Sequence, residues 1–281
     1  MTAPAHSPEP WRELVIRPRT GWIAVEWREL WDARELLWFL TLRDIKVRYK
    51  QTVLGVLWAV LQPLLTMAVF TIIFGRFAKI PSDGLPYALF VFAGLLPWTF
   101  FSNSVNQASM SLINQQSLLT KIYMPRLFIP ASALGSGLLD LAVSFLVFGL
   151  LALYYGSPIG LGALALPILI LLTAAASLGI GLTLAAVIVT YRDFRYVVPF
   201  LIQLWMYVSP IIYPVSIVPE RWQPLLALNP MAGLIDGFRS ALFGRPWNLT
   251  ALLISSCSTV VLLVYGLFYF RKTERRFADV A

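Results

Sequence analysis

The amino-acid sequence predicts an all-α membrane protein with six transmembrane helices and both ends in the cytosol. Composition is the first reason: of 281 residues, 58% are hydrophobic and only 13% are charged, and the mean hydropathy is +0.74. A soluble domain carries about 25% charged residues because its surface faces water, so lipid must solvate part of this chain. The second reason is a set of six apolar runs, each long enough for the roughly 20 residues that cross the hydrocarbon core.

The six runs contain almost no charge, and within lipid their backbone groups must be hydrogen-bonded internally, which favours helices. They occupy residues 53–74, 85 to about 107, a stretch within 127–155, a stretch within 159–191, 196 to about 215, and 249–270. We therefore expect a cytosolic N-terminal segment at 1–52, a membrane domain at 53–270 and a cytosolic tail at 271–281.

Basic residues set the orientation of the chain. If the N-terminus is cytosolic, seventeen Lys and Arg residues fall on the cytosolic side and five on the outer side. Membrane proteins concentrate Lys and Arg in their cytosolic connections, so an N-in, C-in topology is predicted. The same rule accounts for the net charge of +8 without a nucleic-acid partner.

Several classes of site are excluded within one chain. Cys257 is the single cysteine and His6 the single histidine, so neither an intramolecular disulfide, a Cys or His metal cluster nor a Ser-His-Asp triad can form. The nearest match to a phosphate-binding loop, at 266–273, lacks the second glycine and lies at the end of an apolar run. We therefore expect no ATP hydrolysis by this chain.

Two segments outside the apolar runs have helical character. Four tryptophans recur near helical spacing before the first run: Trp22, Trp27, Trp31 and Trp38. Charged residues between them indicate an amphipathic helix in the membrane interface. The segment 219–245 is too charged to span and too apolar for a free loop, and apolar residues follow Pro230 at helical spacing. We expect two short re-entrant helices there, at the outer face.

Five short sequence motifs are distinctive. They read Arg-Asp-Ile-Lys-Val-Arg-Tyr-Lys-Gln-Thr-Val-Leu-Gly at 43–55, Leu-Gln-Pro-Leu at 61–64, Lys-Ile-Tyr-Met-Pro-Arg at 121–126, Tyr-Arg-Asp-Phe-Arg-Tyr at 191–196 and Leu-Asn-Pro-Met at 228–231. In this order, on a six-span frame, they resemble the ABC-2-type permeases that export lipid-linked polysaccharide. The resemblance covers about 43–277, and the outer segment favours the O-antigen branch over capsule or teichoic acid.

The resemblance implies an ABC-2 (type V exporter) fold and a homodimer in the bacterial inner membrane, with two copies of a separate ABC ATPase subunit that bind ATP and Mg²⁺. No cofactor is expected in this chain. The substrate would be a glycan on undecaprenyl diphosphate. It also implies a cytosolic gate helix at 22–50, an ATPase-coupling linker at about 114–123 and an exit gate at 222–243. The coupling residues would include Gln115, Leu118, Leu119, Lys121 and Tyr123.

Three basic residues before the first run are candidates for substrate access. Arg43, Lys46 and Lys50 share one helical face, and their guanidinium and ammonium groups suit a diphosphate. Tyr49 lies beside them, and Arg48 faces another direction. The alternative is that these charges serve only as cytosolic anchors of the topology.

Other side chains are candidates for lining a conduit. Ser102, Asn103 and Asn106 could exchange hydrogen bonds with sugar hydroxyls, or could simply mark a helix that leaves the membrane. The aromatic candidates could stack on sugar rings or belong to the interfacial belts: Trp98, Phe101, Trp205, Tyr207 and Tyr213.

Asp140 is an ionisable group well inside the third run, where a charge costs roughly 2.5–3.5 kcal/mol on insertion scales. It should therefore face protein or water, with Ser136 and Ser144 one turn away as hydrogen-bond partners. A packing or coupling role is favoured over ligand contact. A proton relay is not expected, because the membrane runs contain no histidine or second carboxylate.

Three other functions remain open from the residues: an ABC-2 drug or antibiotic exporter, an integral membrane enzyme and a pure scaffold. An ABC-2 drug or antibiotic exporter would share the fold. An integral membrane enzyme that modifies glycans would need a carboxylate or His array, whereas the outer face carries only Asp83, Glu220 and Asp236, far apart in sequence.

Overall fold

The computed structural model describes residues 27–50, 55–116 and 124–274, and every regular element in these ranges is helical. In chain order the helices are α1 (Trp27–Asp32), α2 (Arg34–Lys50), α3 (Gly55–Phe70), α4 (Tyr87–Asn114), α5 (Phe128–Tyr154), α6 (Leu166–Thr190), α7 (Phe194–Val208), α8 (Gln223–Ala227), α9 (Pro230–Phe243) and α10 (Leu249–Glu274). A π-helical stretch, Thr71–Phe77, extends α3, and a 3-10 turn, Leu161–Ala165, leads into α6.

Five helical segments are long and apolar enough to cross a membrane. They are Leu57–Phe77, Tyr87–Asn114, Phe128–Tyr154, Leu161–Thr190 and Leu249–Glu274. Each coincides with a predicted apolar run, because uncharged runs of this length can satisfy their backbone in lipid only as helices. The chain is a multi-pass membrane protein.

The fifth predicted run differs from its prediction. Helix α7 has 15 residues and ends at Val208, whereas the run continues to about 215. At 1.5 Å per residue this helix is about 22 Å long, less than the roughly 30 Å of the hydrocarbon core. Pro210 and Pro214 follow it; proline disfavours helical geometry in the residue before it and cannot donate a backbone hydrogen bond.

Helix α4 is the central element of the bundle. Of its most apolar window, 83% of the residues are buried inside the protein, and it packs against α3, α5, α6 and α9. The surrounding helices instead expose large apolar side chains: Leu146, Leu150, Leu171, Leu253 and Val261. Apolar surface of this extent suits contact with lipid tails, so α4 forms the core and its neighbours form the lipid-facing layer.

Helices α1 and α2 dock on the end of the bundle where α4 ends and α5 begins. Leu30, Leu36 and Leu40 pack against an apolar cluster built from α4, α5, α6 and α10. Trp31 and Trp38 lie on the opposite side, with 69% and 62% of their surface exposed. The segment predicted as one interface helix is thus two helices with apolar residues on both sides, one side packed on the bundle and the other exposed. Its predicted beginning, 22–26, lies outside the described residues.

The outer segment forms two helices, α8 and α9, and α9 is buried along most of its length. Asn229 caps α9 by accepting a hydrogen bond from the Met231 backbone N–H, and Pro230 occupies the first turn, where its missing N–H costs nothing. Gly244 ends the helix in the left-handed conformation, at φ 64°. The prediction of two short helices in this segment, with a helix start at Pro230, is confirmed.

Candidate functional site

A polar contact zone joins α2 to the first half of α5. The two helices approach closely where Thr41 contacts Gly135, a position with no room for a Cβ atom. One helical turn further, the Ser132 hydroxyl donates a 2.8 Å hydrogen bond to the Asp44 carboxylate. The same carboxylate accepts hydrogen bonds from Arg43, the shorter being 2.7 Å. Helix α2 is therefore held to α5 by polar contacts as well as by its leucines.

Asp140 is the deepest member of this zone and is only 9% exposed. Its carboxylate lies 2.8 Å from the Arg48 guanidinium and accepts a hydrogen bond from the Tyr49 hydroxyl. The predicted partners are different groups: Ser144 donates to the backbone carbonyl of Asp140, and Ser136 donates to Gln107 and to the Ala133 carbonyl. The expectation that Ser136 and Ser144 bind the carboxylate is wrong, because α2 supplies closer partners.

The Tyr49 hydroxyl is a stable donor in this arrangement. Burial, the hydrogen bond to Asp140 and the charge of Asp140 raise its pKa to about 12, while Arg48 opposes the shift. The phenol therefore remains protonated at physiological pH.

Asp140 lies about 18 Å along α5 from the first residue of that helix, so the end of α2 reaches well into the membrane domain.

A cleft of about 520 Å³ opens between α2 and the C-terminal end of α4. Its walls are lined by Arg43, Asp44, Val47, Arg48, Gln107, Asn114 and Gln115. Lys46 and Lys50 do not line it and are exposed. The structure thus separates the three basic residues grouped by helical spacing, and brings Arg48 to the cleft in place of the two lysines.

The aromatic candidates for the conduit fall into two groups. Trp98 and Phe101 are buried in the subunit core, and the Phe101 ring meets the Trp205 ring edge to face at 5.3 Å. They do not line a conduit in this conformation, because α4 is surrounded by other helices. Tyr207 is exposed on α7, and the half-buried Tyr213 donates to the Val208 carbonyl.

The polar candidates on α4 are half-buried. The Ser102 hydroxyl donates to the Thr99 carbonyl of its own helix, and Asn103 and Asn106 lie on the same partly covered stretch. Of the coupling candidates, Gln115 lies just after the end of α4. Leu118, Leu119, Lys121 and Tyr123 lie outside the described residues.

A second polar centre lies near the start of α4, around Arg239 of α9. This side chain is 3% exposed. Its guanidinium donates 2.7 Å hydrogen bonds to the carbonyls of Pro210 and Ile211, and a longer one to the Phe90 carbonyl. It also lies over the Phe90 ring at 3.6 Å. Arg239 therefore satisfies the irregular backbone that follows α7 and ties it to α4.

Comparison with known proteins identifies the family of this chain. Residues 35–243 match the ABC-2 type transporter family. This chain belongs to the ABC-2 type transporter family. The match covers α2 through α9, which includes both polar centres.

This ABC-2 permease is also similar along most of its length to curated proteins. It is 31% identical over 255 residues to the O-antigen export system permease protein RfbA of Myxococcus xanthus, covering 90% of this chain and 97% of the relative. It is 28% identical over 247 residues to the RfbA protein of Klebsiella pneumoniae, covering 88% and 95%. It is 28% identical to the polysialic acid transport protein KpsM of Escherichia coli, covering 84% and 92%.

Sequence reasoning missed two residues that organise this ABC-2 permease. Arg48 faces away from Arg43, Lys46 and Lys50, and that direction is the one that meets Asp140. The sequence prediction counts Arg239 only among the five basic residues on the outer side. The available signal was its position among buried residues, since a charge on an otherwise apolar face needs an internal partner. In the described part of the chain, no group of three or more Cys, His, Asp or Glu residues could hold a metal.

Proposed function

We propose that this chain is the membrane-spanning subunit of an ATP-driven exporter of lipid-linked polysaccharide, with O antigen as the first candidate. The observation that carries the proposal is the full-length similarity to O-antigen export permeases, of which the Myxococcus xanthus protein is covered to 97%. The match to an ABC-2 permease family supports a separate ATPase partner.

The proposed arrangement is a homodimer with six membrane helices in each subunit and cytosolic termini. Helix α7 and the irregular segment after it together form the remaining crossing, which is the fifth in chain order. The strong bias of Lys and Arg toward the connections assigned to the cytosol supports this orientation. The glycan would leave through a conduit between two copies of the chain.

The cytosolic cleft is proposed to receive the diphosphate of the carrier lipid. Arg43 and Arg48 border it, and Asn114 and Gln115 carry amide groups that can donate to phosphate oxygens. Asp44 pairs with Arg43 and Asp140 pairs with Arg48, so the phosphate would compete with these two carboxylates for the guanidinium groups. Lys46 and Lys50, exposed nearby on α2, would attract the anion from solution.

ATP hydrolysis by the reconstituted complex tests this proposal. The permease is purified in nanodiscs with and without its ATPase partner, and hydrolysis is measured while lipid-linked glycan is added. We expect no hydrolysis by the permease alone and stimulation of the complex by the glycan. Arg43→Gln should raise the half-stimulating glycan concentration by about tenfold, because a charge-assisted hydrogen bond contributes about 1.5–3 kcal/mol.

Lys46→Gln is the matched control, since it removes one positive charge from the same helix outside the cleft. It should change the half-stimulating concentration much less. The anchor interpretation instead predicts lower membrane abundance for both variants and unchanged stimulation of whatever complex is assembled. ATP hydrolysis by the lone permease, or equal stimulation of the wild-type and Arg43→Gln complexes, would contradict the proposed roles.

A further inference from the structure

A second cavity, of about 300 Å³, lies at the outer face, where three connections meet above α9. Asp83 comes from the loop before α4, Ser216 from the turn after α7, and Arg245 from the connection before α10. The Asp83 carboxylate accepts a 2.9 Å hydrogen bond from the Ser216 hydroxyl and pairs with the Arg245 guanidinium at 3.3 Å. These contacts hold the three connections together around the cavity.

Asp236 of α9 lies against this cavity and is the carboxylate with unused acceptors. Within the described part of the chain, no hydrogen bond or ion pair reaches its carboxylate oxygens, although Arg239 and Arg245 lie near enough to act on its charge. Arg239 donates hydrogen bonds to three backbone carbonyls, and Arg245 donates to Asp83. A half-buried carboxylate that faces a cavity without a protein donor is able to accept hydrogen bonds from a ligand or from water.

The charge of the cavity restricts what can fill it. Two carboxylates, Asp83 and Asp236, are balanced by two guanidinium groups, Arg239 and Arg245. A divalent cation would meet the two arginines, and a phosphate would meet the two aspartates, so neither is favoured. A neutral ligand that donates hydroxyl hydrogens to a carboxylate avoids both conflicts.

The size and walls of the cavity agree with such a ligand. Its volume is at the lower end of the roughly 300–1,000 Å³ typical of small-molecule sites, which suits a single sugar ring. Pro214 and Pro246 supply apolar wall against which the C–H face of a sugar can pack. Gln223 and Asn248 add side-chain amides at the rim.

We propose that this outer cavity binds one neutral sugar residue of the exported glycan, with hydroxyl groups of the ring donating to Asp236. The inference rests on the proposed function, because the sugar would arrive as part of the emerging polysaccharide. The site would hold one sugar unit of the glycan as it emerges at the outer face.

Saturation-transfer difference NMR on the full chain in nanodiscs tests the site, with methyl α-mannoside, methyl β-galactoside and N-acetylglucosamine as probes. At least one probe should give a ring-proton signal in the wild type. Asp236→Ala should reduce that signal at least about fivefold, because it removes the acceptor for the hydroxyl groups. Ser216→Phe, at an exposed position, places a ring at the mouth of the cavity and should have the same effect, whereas Ser216→Ala, which removes only the hydrogen bond to Asp83, should not.

Glu220→Ala is the matched control, since it removes an exposed carboxylate from the same outer segment but not from the cavity. It should leave the signal unchanged. Absence of signal for all three probes, equal signals in the wild type and both cavity variants, or displacement of the sugar by equimolar Ca²⁺ or inorganic phosphate would overturn the proposal. Glycan export by the complex, measured separately, would still decide the proposed function, so the two can fail independently.

Discussion

Gly179 of α6 and Gly266 of α10 bring two membrane helices into backbone contact. A Cβ atom added at Gly266 would meet the carbonyl group of Gly179, and one added at Gly179 would lie 2.6 Å from the Leu263 Cα atom. Small residues at such crossings let membrane helices approach until van der Waals packing and weak Cα–H hydrogen bonds hold them together. The pair therefore sets the spacing between these two helices.

Gly266→Ala should destabilise the protein by about 1–3 kcal/mol, because the added methyl group forces α6 and α10 apart. Gly149→Ala is the matched control: Gly149 also lies inside a membrane helix but has no neighbour within 4 Å of an added Cβ atom. It should leave stability unchanged or slightly raised, since alanine favours helix. Thermal unfolding in detergent, followed by size-exclusion chromatography, compares the two. Equal behaviour would contradict the packing role.

Asp140 and Arg48 should show strong coupling in a double-mutant cycle. Asp140→Leu alone removes the carboxylate that pairs with Arg48 and should lower the free energy of unfolding by about 1–3 kcal/mol. This is less than for a fully buried pair, because Arg48 is about one-third exposed and solvent screens its charge. Arg48→Met alone should also destabilise, and the double variant should cost less than the sum of the two. The measurement is thermal unfolding of all four proteins. Simple additivity would show that the pair contributes nothing to the docking of α2.

Arg239→Lys should be poorly tolerated despite conserving charge. A lysine ammonium cannot reproduce the forked geometry that serves three carbonyls, and each buried carbonyl left unpaired costs about 1–3 kcal/mol. Arg221→Lys, on the exposed surface of the same outer segment, is the control and should behave as wild type. Membrane abundance and melting temperature provide the readout. A stable Arg239→Lys protein would show that the irregular backbone after α7 finds its partners elsewhere.

Asp236 should make stability depend on pH in one direction. Burial raises the pKa of its carboxyl above the ordinary 3.8; Arg239 opposes the shift, Asp83 adds to it and Arg245 opposes it. Because folding favours the protonated form, its contribution is fully present below pH 3.8 and is lost as the pH rises through the raised pKa. The melting temperature of the wild type minus that of Asp236→Asn should therefore fall as the pH increases from about 4 to 7. A constant difference would contradict the shifted pKa.

The sequence predicts most of the membrane helices because their signal is local. An uncharged run of sufficient length has one stable solution in lipid, so α4, α5, α6 and α10 lie where the runs lie. The end of α7 is a local feature as well, but a hydropathy run continues smoothly through Pro210 and Pro214 while the helix stops at Val208. Apolar length alone does not distinguish helix from irregular backbone when an arginine elsewhere satisfies that backbone.

The contacts of the candidate sites are not local, and periodicity could not find them. Tyr49 and Asp140 are separated by 91 positions, so the nearby serines were the natural but wrong partners. Trp98 and Phe101 present the same difficulty: an aromatic on a polar-ended helix can face a conduit or a neighbour. Only the packing of α4 on all sides shows that these two side chains face neighbours.

Cys257 gives the unmodified chain its own spectroscopic reporter. The thiol is exposed and lies in α10, one of the membrane-crossing segments, so a lipid-soluble nitroxide reagent can reach it from the hydrocarbon phase. Because no other cysteine is present, each polypeptide accepts one paramagnetic label without mutagenesis. In the proposed homodimer, the two labels would give a single interspin distance in a pulsed dipolar experiment, and changes in that distance during ATP turnover by the proposed complex would follow α10 directly.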